Sequence, residues 1–284
     1  MMNRLASIPF VALLWREVLE NRTLFIWAPV MLALVLFVFA AWLISMAPND
    51  QVSISIQYLS EIFDGLSPLE IAPILMILAV PFMVILYVCA LIYLLGALYQ
   101  DRKDLSVLFW QSMPISNATT VLSKVVTVAA VAPFFSVTVL LVFYTLALLC
   151  LTLLGVAYEV QVAGLGYLFL AALTSLILVY LSAFTATLWL MPTVGWLLLF
   201  SAFARRAPFL WAAGVFILIG FLEDFLFGSQ YLANWVESRA NPNQYLIYNF
   251  SDVTERMFSY DMLFGVLVGS ILLLGAIFMR RFID

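Results

Sequence analysis

The stretch Ile71–Tyr99 decides the fold: it reads IAPILMILAVPFMVILYVCALIYLLGALY and contains no charged residue. At 1.5 Å per residue, a helix of this length measures about 44 Å, which exceeds the roughly 30 Å hydrocarbon core of a bilayer. Because lipid offers no hydrogen-bond partner to an exposed backbone, such a run predicts a membrane-spanning helix.

The composition of the whole chain extends this prediction. Of the 284 residues, 66% are hydrophobic and only 10% are charged, whereas soluble domains carry about a quarter charged residues. The chain has no histidine, and both cysteines, Cys89 and Cys150, lie inside apolar runs. These facts exclude histidine-based catalytic triads and histidine metal centres, and they disfavour a disulfide framework. The expected class is an all-α membrane protein.

Six apolar runs predict six transmembrane helices in a single domain over residues 23–284, after an N-terminal interfacial helix over residues 1–22. Met191-Pro192 is expected to kink or end the fourth run, because proline lacks a backbone donor. The fifth run is short and precedes Glu223 and Asp224, so part of that pass is expected to be broken or re-entrant. The predicted spans are residues 23–47, 71–99, 125–155, 164–200, 207–222 and 262–279, with a cytoplasmic loop over 100–124 and outer loops over 48–70, 156–163 and 228–261.

The basic residues predict the orientation of these spans. With a cytoplasmic N-terminus, only Arg239 and Arg256 fall on the outer side, and most acids fall there too. This is a strong positive-inside bias, so both termini are expected in the cytoplasm. The cytoplasmic basic residues are Arg4, Arg16, Arg22, Arg102, Lys103, Lys124, Arg205, Arg206, Arg280 and Arg281.

The interiors of the predicted spans carry no charged residue. Ion-coupled carriers usually need intramembrane ionisable groups, so an uncoupled channel or a secondary carrier is disfavoured. Neither Lys103 nor Lys124 lies in a P-loop, and no hydrolase motif is present. No catalytic, cofactor or metal site is therefore predicted on this chain, and it is not expected to be an enzyme.

The cytoplasmic loop is the segment with the clearest functional pattern. Leu105, Leu108, Phe109 and Met113 share one helical face, which predicts a short amphipathic helix before Pro114. Ser116 is suited to cap a second helix that enters the third span. Two interpretations are open: the first helix is a lever for a soluble partner, or it only rests on lipid headgroups.

The order of motifs in this part of the chain resembles ATP-binding-cassette type-2 exporter permeases. In that family a charged cluster, a short Leu-rich helix, a Leu-Pro-Ile/Val-Ser turn and a lysine follow one another between spans 2 and 3. Here the early part of the loop reads Asp104-Leu105-Ser106-Val107, where the family often has Gly-Thr-Leu-Glu. The matching segments are Asp101–Asp104, Leu105–Gln111, Met113–Ser116 and Lys124, with Leu14–Glu17 and Glu20–Arg22 in the N-terminal helix.

The resemblance implies a permease subunit of the bacterial inner membrane that pairs with a second permease protomer, a homodimer by expectation, amid membrane lipids. A cytoplasmic ABC ATPase subunit would bind the ATP and Mg, and a coupling helix in the 100–124 loop would transmit its motion to the spans. No nucleic-acid partner is expected. The residues implied at the ATPase interface are Arg16, Glu17, Asp101, Arg102, Lys103, Leu105, Leu108, Phe109 and Pro114.

Two further groups of residues each have two interpretations. Thr174, Ser175, Ser182 and Thr185 share one face of the fourth span, where they either pack against another helix or line a pathway. Glu223 and Asp224 either form an outer gate or are solvated residues at the interface. For the whole chain, the alternative class is a membrane scaffold or assembly subunit with no nucleotide-driven function.

Overall fold

The computed structural model describes residues 2–103, 116–162 and 164–282, with side chains over 10–103, 116–162 and 164–281. Helices make up nearly all of these ranges, and no strand occurs within them, which confirms the all-α prediction. Twelve α-helices are described: α1 Met2–Glu20, α2 Ala28–Met46, α3 Asn49–Phe63, α4 Pro68–Lys103, α5 Asn117–Val126, α6 Ala132–Ala157, α7 Leu165–Trp189, α8 Met191–Phe203, α9 Pro208–Phe227, α10 Tyr231–Ala240, α11 Phe250–Met257 and α12 Tyr260–Met279.

Six helical runs are long and apolar enough to cross a membrane, as predicted. They agree with the predicted spans except at their ends, where α4 and the α5–α6 run extend well beyond the apolar core. The short α3 fills much of the first loop. The six runs are Thr23–Met46, Pro68–Lys103, Asn117–Ala157, Leu165–Trp189, Pro208–Phe227 and Tyr260–Met279.

Prolines explain the irregular turns inside these runs. A π-helical turn, Thr23–Trp27, precedes Pro29, and a second one, Thr127–Val131, precedes Pro133. A widened turn relieves the clash between the proline ring and the preceding carbonyls. The expected break in the fourth run is confirmed, because α7 ends at Trp189 and α8 begins at Met191. The expected break in the fifth run is wrong: α9 is one continuous helix.

Helix α4 is the central element of the bundle. It packs against both α7 and α8, and α8 in turn packs closely on α12. The α8–α12 contact depends on Gly195 and Gly269, since a Cβ atom at Gly269 would lie 2.5 Å from the backbone carbonyl of Met191. Small residues allow this close approach of two helix backbones.

The chain between α9 and α12 folds back into the bundle. Residues 231–257, which we call the re-entrant segment, contain α10, a 3-10 turn and α11. The ring of Tyr245 lies against that of Tyr87, with centroids 6.2 Å apart. Tyr87 is near the middle of α4, about 24 Å from Lys103 and about 29 Å from Pro68 at 1.5 Å per residue. The predicted outer loop over 228–261 is thus partly buried.

Candidate functional site

Three helices and the residue after a fourth meet at one end of the bundle, which we call the basic end. They bring together six charged side chains, the ionic cluster, which are Arg16, Glu17, Glu20, Asp101, Lys124 and Arg280. The first three belong to α1, Asp101 lies near the end of α4, Lys124 lies on α5, and Arg280 directly follows α12. The cluster therefore joins segments that are far apart in the sequence.

Lys124 lies at the centre of this cluster. Its Nζ atom is 2.9 Å from Glu17 Oε1 and 3.2 Å from Asp101 Oδ2. The Tyr93 hydroxyl donates a hydrogen bond of 2.7 Å to the other oxygen of Glu17. A single ammonium thus holds α5 to both α1 and α4.

Two arginines complete the cluster around Asp101. Arg16 Nη2 lies 3.5 Å from Asp101 Oδ1, and Arg280 Nη1 lies 3.7 Å from Asp101 Oδ2. Arg16 also donates from Nε to Glu20 Oε1 at 2.6 Å, one helical turn along α1. Asp101 is therefore the carboxylate that three cations share.

Among the residues that the structure describes, the charges of the cluster balance, since three cations face three anions. Glu17, Asp101, Lys124 and Arg280 are each no more than 5% exposed. Burying a charge is costly unless it is paired, so these four buried residues depend on their partners in the cluster. Burial lowers the pKa of the Arg280 guanidinium, while the nearby carboxylates of Asp101 and Glu17 oppose that shift.

Helical periodicity explains how α1 and α5 present these residues. Leu13 and Glu17 are four residues apart, so they lie on the same buried face of α1. On α5 the same spacing buries Thr120 and Lys124 together. The side chain of Ser116 caps α5 by accepting a hydrogen bond from the Thr119 amide, as predicted from the sequence.

A second polar junction at the basic end joins α4 to α8. The Oγ atom of Ser201 accepts hydrogen bonds from the backbone amides of Leu98 and Tyr99. Arg102 donates from Nη2 to the carbonyl oxygens of Ser201 and Ala204, at 2.7 and 2.6 Å. The last two turns of α4 are therefore fixed on two sides.

The predicted interface residues fall into four groups. Arg16, Glu17 and Asp101 belong to the ionic cluster, Arg102 joins α4 to α8, and Lys103 is exposed at the end of α4. Leu105, Leu108, Phe109 and Pro114 lie outside the described residues. The site prediction omitted Lys124, Arg280 and Tyr93, whose partners lie on other helices; the Tyr93–Glu17 and Lys124–Glu17 contacts span 76 and 107 residues.

A polar cavity of about 370 Å³ opens beside the cluster and is lined by Glu17, Gln100, Asp101 and Lys124 among others. Its lining combines both signs of charge with side-chain amides. Over the ranges that the structure describes, no three His, Cys, Asp or Glu side chains are placed to hold a metal ion. The arrangement is suited to joining helices mechanically.

Glu223 holds the start of α10. Its carboxylate accepts hydrogen bonds from the Ser229 hydroxyl and from the backbone amides of Tyr231 and Leu232. Those amides have no acceptor within their own helix, because they lie at its N-terminus, where the helix dipole also favours a negative charge. Asp224 is exposed. The geometry gives Glu223 a clear structural contact, while the gate interpretation stays a prediction.

Three of the four hydroxylated residues of α7 that were predicted to share one face are buried against neighbouring elements. Ser175 lies 3.3 Å from the Tyr144 hydroxyl, and Ser182 accepts a hydrogen bond from the Ile247 amide. Thr185 is also buried, whereas Thr174 is partly exposed and hydrogen-bonds within its own helix. These contacts favour packing over a pathway lining.

Arg239 is the charged residue of the re-entrant segment that enters the bundle. Its guanidinium lies 4.3 Å from the ring centroid of Trp189 and 5.1 Å from that of Trp235. It donates to the carbonyl oxygens of Trp189 and Asp261, and the Trp189 indole donates to the Arg239 carbonyl. Burial lowers the pKa of this guanidinium, with Asp261 opposing. The re-entrant segment thus places a buried charge between the end of α7 and the start of α12.

Comparison of the chain with protein-family models, curated proteins and solved structures finds no match.

Proposed function

We propose that this chain is the permease subunit of an ATP-driven exporter, moved by a separate cytoplasmic ATPase of the ATP-binding-cassette class. The ionic cluster is the observation that carries the proposal. The segment 104–115 lies between Lys103, the last residue of α4, and α5, and the two helices that flank it are ion-paired through Asp101 and Lys124. A force applied to this segment would therefore act on one block of helices that these ion pairs hold together.

The composition of that block supports a role in transmitting motion. Through Glu17, Asp101 and Arg280, it includes α1, α4, α5 and the end of α12. Through Ser201 and Arg102, it also includes α8. Displacement of the loop would shift several spans together. Nucleotide can drive such a shift only if it binds the two arrangements with different affinity.

The distribution of charge supports the orientation in this proposal. The basic residues near the ends of α1, α4, α8 and α12 gather where the ionic cluster lies. The positive-inside rule then predicts that the basic end and both termini face the cytoplasm. The resemblance to exporter permeases implies that the membrane is a bacterial inner membrane. ATP and Mg would bind the partner ATPase, and a second permease protomer would complete the pathway.

Affinity purification of the tagged full-length chain from its native membrane tests the partnership. We expect a stoichiometric ATPase subunit to co-purify with the wild-type chain. The double variant Leu108→Asp with Phe109→Asp should lose this subunit, because it puts charges on the apolar face predicted for the loop helix. Ala118→Asp is the matched control: it adds a carboxylate at an exposed position in the first turn of α5, where negative charge is tolerated.

The alternative functions predict different results. A scaffold or assembly subunit would retain a partner that does not hydrolyse ATP, and an uncoupled channel or carrier would retain none. If the double variant keeps its ATPase as well as Ala118→Asp does, the loop helix is not the contact. A chain that is shown to be intact and yet retains no ATPase would contradict the proposal.

A further inference from the structure

A large apolar cavity lies between α4, α8, α9, α10 and α12, away from the ionic cluster. Its volume is about 710 Å³, within the range of roughly 300–1,000 Å³ that is typical of small-molecule sites. Among the described residues that line it, Thr193 alone carries a hydroxyl group and none is charged. The indole N–H of Trp196 is already bonded to the Ala212 carbonyl.

This lining selects for the chemistry of an occupant. A charged or strongly polar ligand would lose its hydration and gain few hydrogen-bond partners. An empty void of this size would leave its lining side chains without packing contacts. The cavity is therefore suited to a flexible, purely apolar group such as an alkyl chain.

The outer wall of the cavity is formed by α9, the least buried of the six candidate spans in the described ranges. Lining residues Phe209 and Ile219 on α9 are themselves largely exposed, at 62% and 42%. The lining from α4 runs from Val88 to Leu95, which are about 23 and 12 Å along the helix from Lys103. At this depth the surroundings of a spanning bundle are hydrocarbon.

We propose that this cavity binds one acyl chain of a bilayer lipid, drawn from the leaflet at the basic end. The chain would enter beside α9 and lie against α4, α8 and α12, with Trp196 and Trp235 on its flanks. The inference goes beyond the proposed function, because it requires neither nucleotide nor an ATPase. It also differs from ordinary contact between lipid and the outside of the bundle, because residues from five helices line the acyl chain.

Photolabelling tests this site in the full-length chain. The protein is reconstituted in vesicles of phosphatidylcholine that contain a small fraction of phosphatidylcholine with a diazirine near the end of one acyl chain. After illumination, mass spectrometry locates the labelled residues. We expect labels on the cavity-lining faces of α4 and α8, around Leu95 and Thr193. Labels on the outside of α9 are expected in every sample, as a measure of surrounding lipid.

Two adjacent residues on α9 provide a matched pair of variants. Ala213→Trp puts an indole into the cavity, whereas Gly214→Trp adds the same group where no atom lies within 4 Å of a new Cβ. We expect Ala213→Trp to lose the labels around Leu95 and Thr193, and Gly214→Trp to keep them. Val236→Trp fills the cavity independently from α10, and gel filtration with circular dichroism checks that each variant is folded.

Three results would overturn the inference. The first is labelling that is confined to the outside of the bundle, which would mean surrounding lipid only. The second is labelling around Leu95 and Thr193 that both cavity-filling variants leave unchanged. The third is a cross-link between two copies of the chain when a photoreactive amino acid, instead of the lipid diazirine, is placed at Leu95 in the cavity lining, which would assign the cavity to an interface between protomers. Loss of the ATPase partner would affect none of these readouts.

Discussion

Replacing Lys124 by methionine should destabilise the protein strongly, because the change keeps the aliphatic stem but removes the shared cation of the ionic cluster. Asp101 would retain Arg16 at 3.5 Å and Arg280 at 3.7 Å. Glu17 would lose its ammonium partner at 2.9 Å and keep the Tyr93 hydroxyl at 2.7 Å. Breaking one buried ion pair in this way costs about 3–5 kcal/mol of unfolding free energy.

A compensating variant makes the cause of that loss measurable. Adding Glu17→Gln to Lys124→Met removes the stranded anion and restores neutrality, while the amide can still accept from Tyr93. Replacing both members of a buried pair is often close to neutral. The double variant should therefore regain at least about 2 kcal/mol relative to Lys124→Met alone.

The assay is reversible unfolding in mixed micelles of dodecyl maltoside and sodium dodecyl sulfate, followed by circular dichroism. Lys103→Met is the matched control, because Lys103 is exposed at the end of α4 and its loss should change stability by less than about 0.5 kcal/mol. The reasoning is refuted if Lys124→Met is no less stable than this control. It is also refuted if the double variant is as unstable as the single one.

Three further predictions concern other parts of the bundle, each measured as the thermal midpoint of the purified protein in detergent. Arg239→Lys should lower the midpoint, because a lysine between the two indole rings cannot donate to both carbonyl oxygens as the guanidinium does. The expected loss of unfolding free energy is about 2–4 kcal/mol. An unchanged midpoint would contradict these contacts of Arg239. Gly269→Ala should cost about 1–3 kcal/mol of unfolding free energy, because the added methyl group forces α12 away from α8. Gly214→Ala, with open space around it, should be neutral or slightly stabilising. Equal effects of the two variants would refute the close crossing of α8 and α12. Glu223→Gln should cost about 0.5–2 kcal/mol by weakening the cap of α10, and Asp224→Asn should stay within about 0.5 kcal/mol of wild type.

The spans were predictable because a membrane imposes one requirement on every residue of a long helix. Apolar runs of sufficient length identified all six, and Pro192 marked the break between α7 and α8. The ends were less predictable, since α4 continues through Asp101 to Lys103, although the cap at Ser116 did predict the helix that begins at Asn117. Helices stabilised by tertiary contacts extend beyond the apolar run that reveals them.

The re-entrant segment could not be predicted from its composition. It includes Glu237, Arg239 and Glu255, which are typical of a solvated loop. Its burial depends on partners supplied by α7, above all the carbonyl of Trp189 and the hydroxyl of Ser182. No local pattern encodes such partners, so a polar stretch that folds into the bundle looks like a surface loop.

The ionic cluster was predictable only in part. The charge map placed Arg16, Glu17, Asp101 and Lys124 on one side of the predicted membrane. It gave no pairing, because Lys124 and Glu17 are 107 positions apart and meet only when α1 packs beside α5. Arg280 was counted only among the basic residues on that side, while the structure buries it near Asp101.

The most direct test of the proposed function is the ATP hydrolysis rate of the purified complex in vesicles. We expect vanadate-sensitive ATP hydrolysis that requires this chain. Hydrolysis should persist with Ala118→Asp and should be lost, together with the ATPase subunit, in the Leu108→Asp, Phe109→Asp double variant. The proposed function is contradicted if the intact chain brings no ATPase into the vesicles, or if the ATPase hydrolyses ATP at the same rate without this chain.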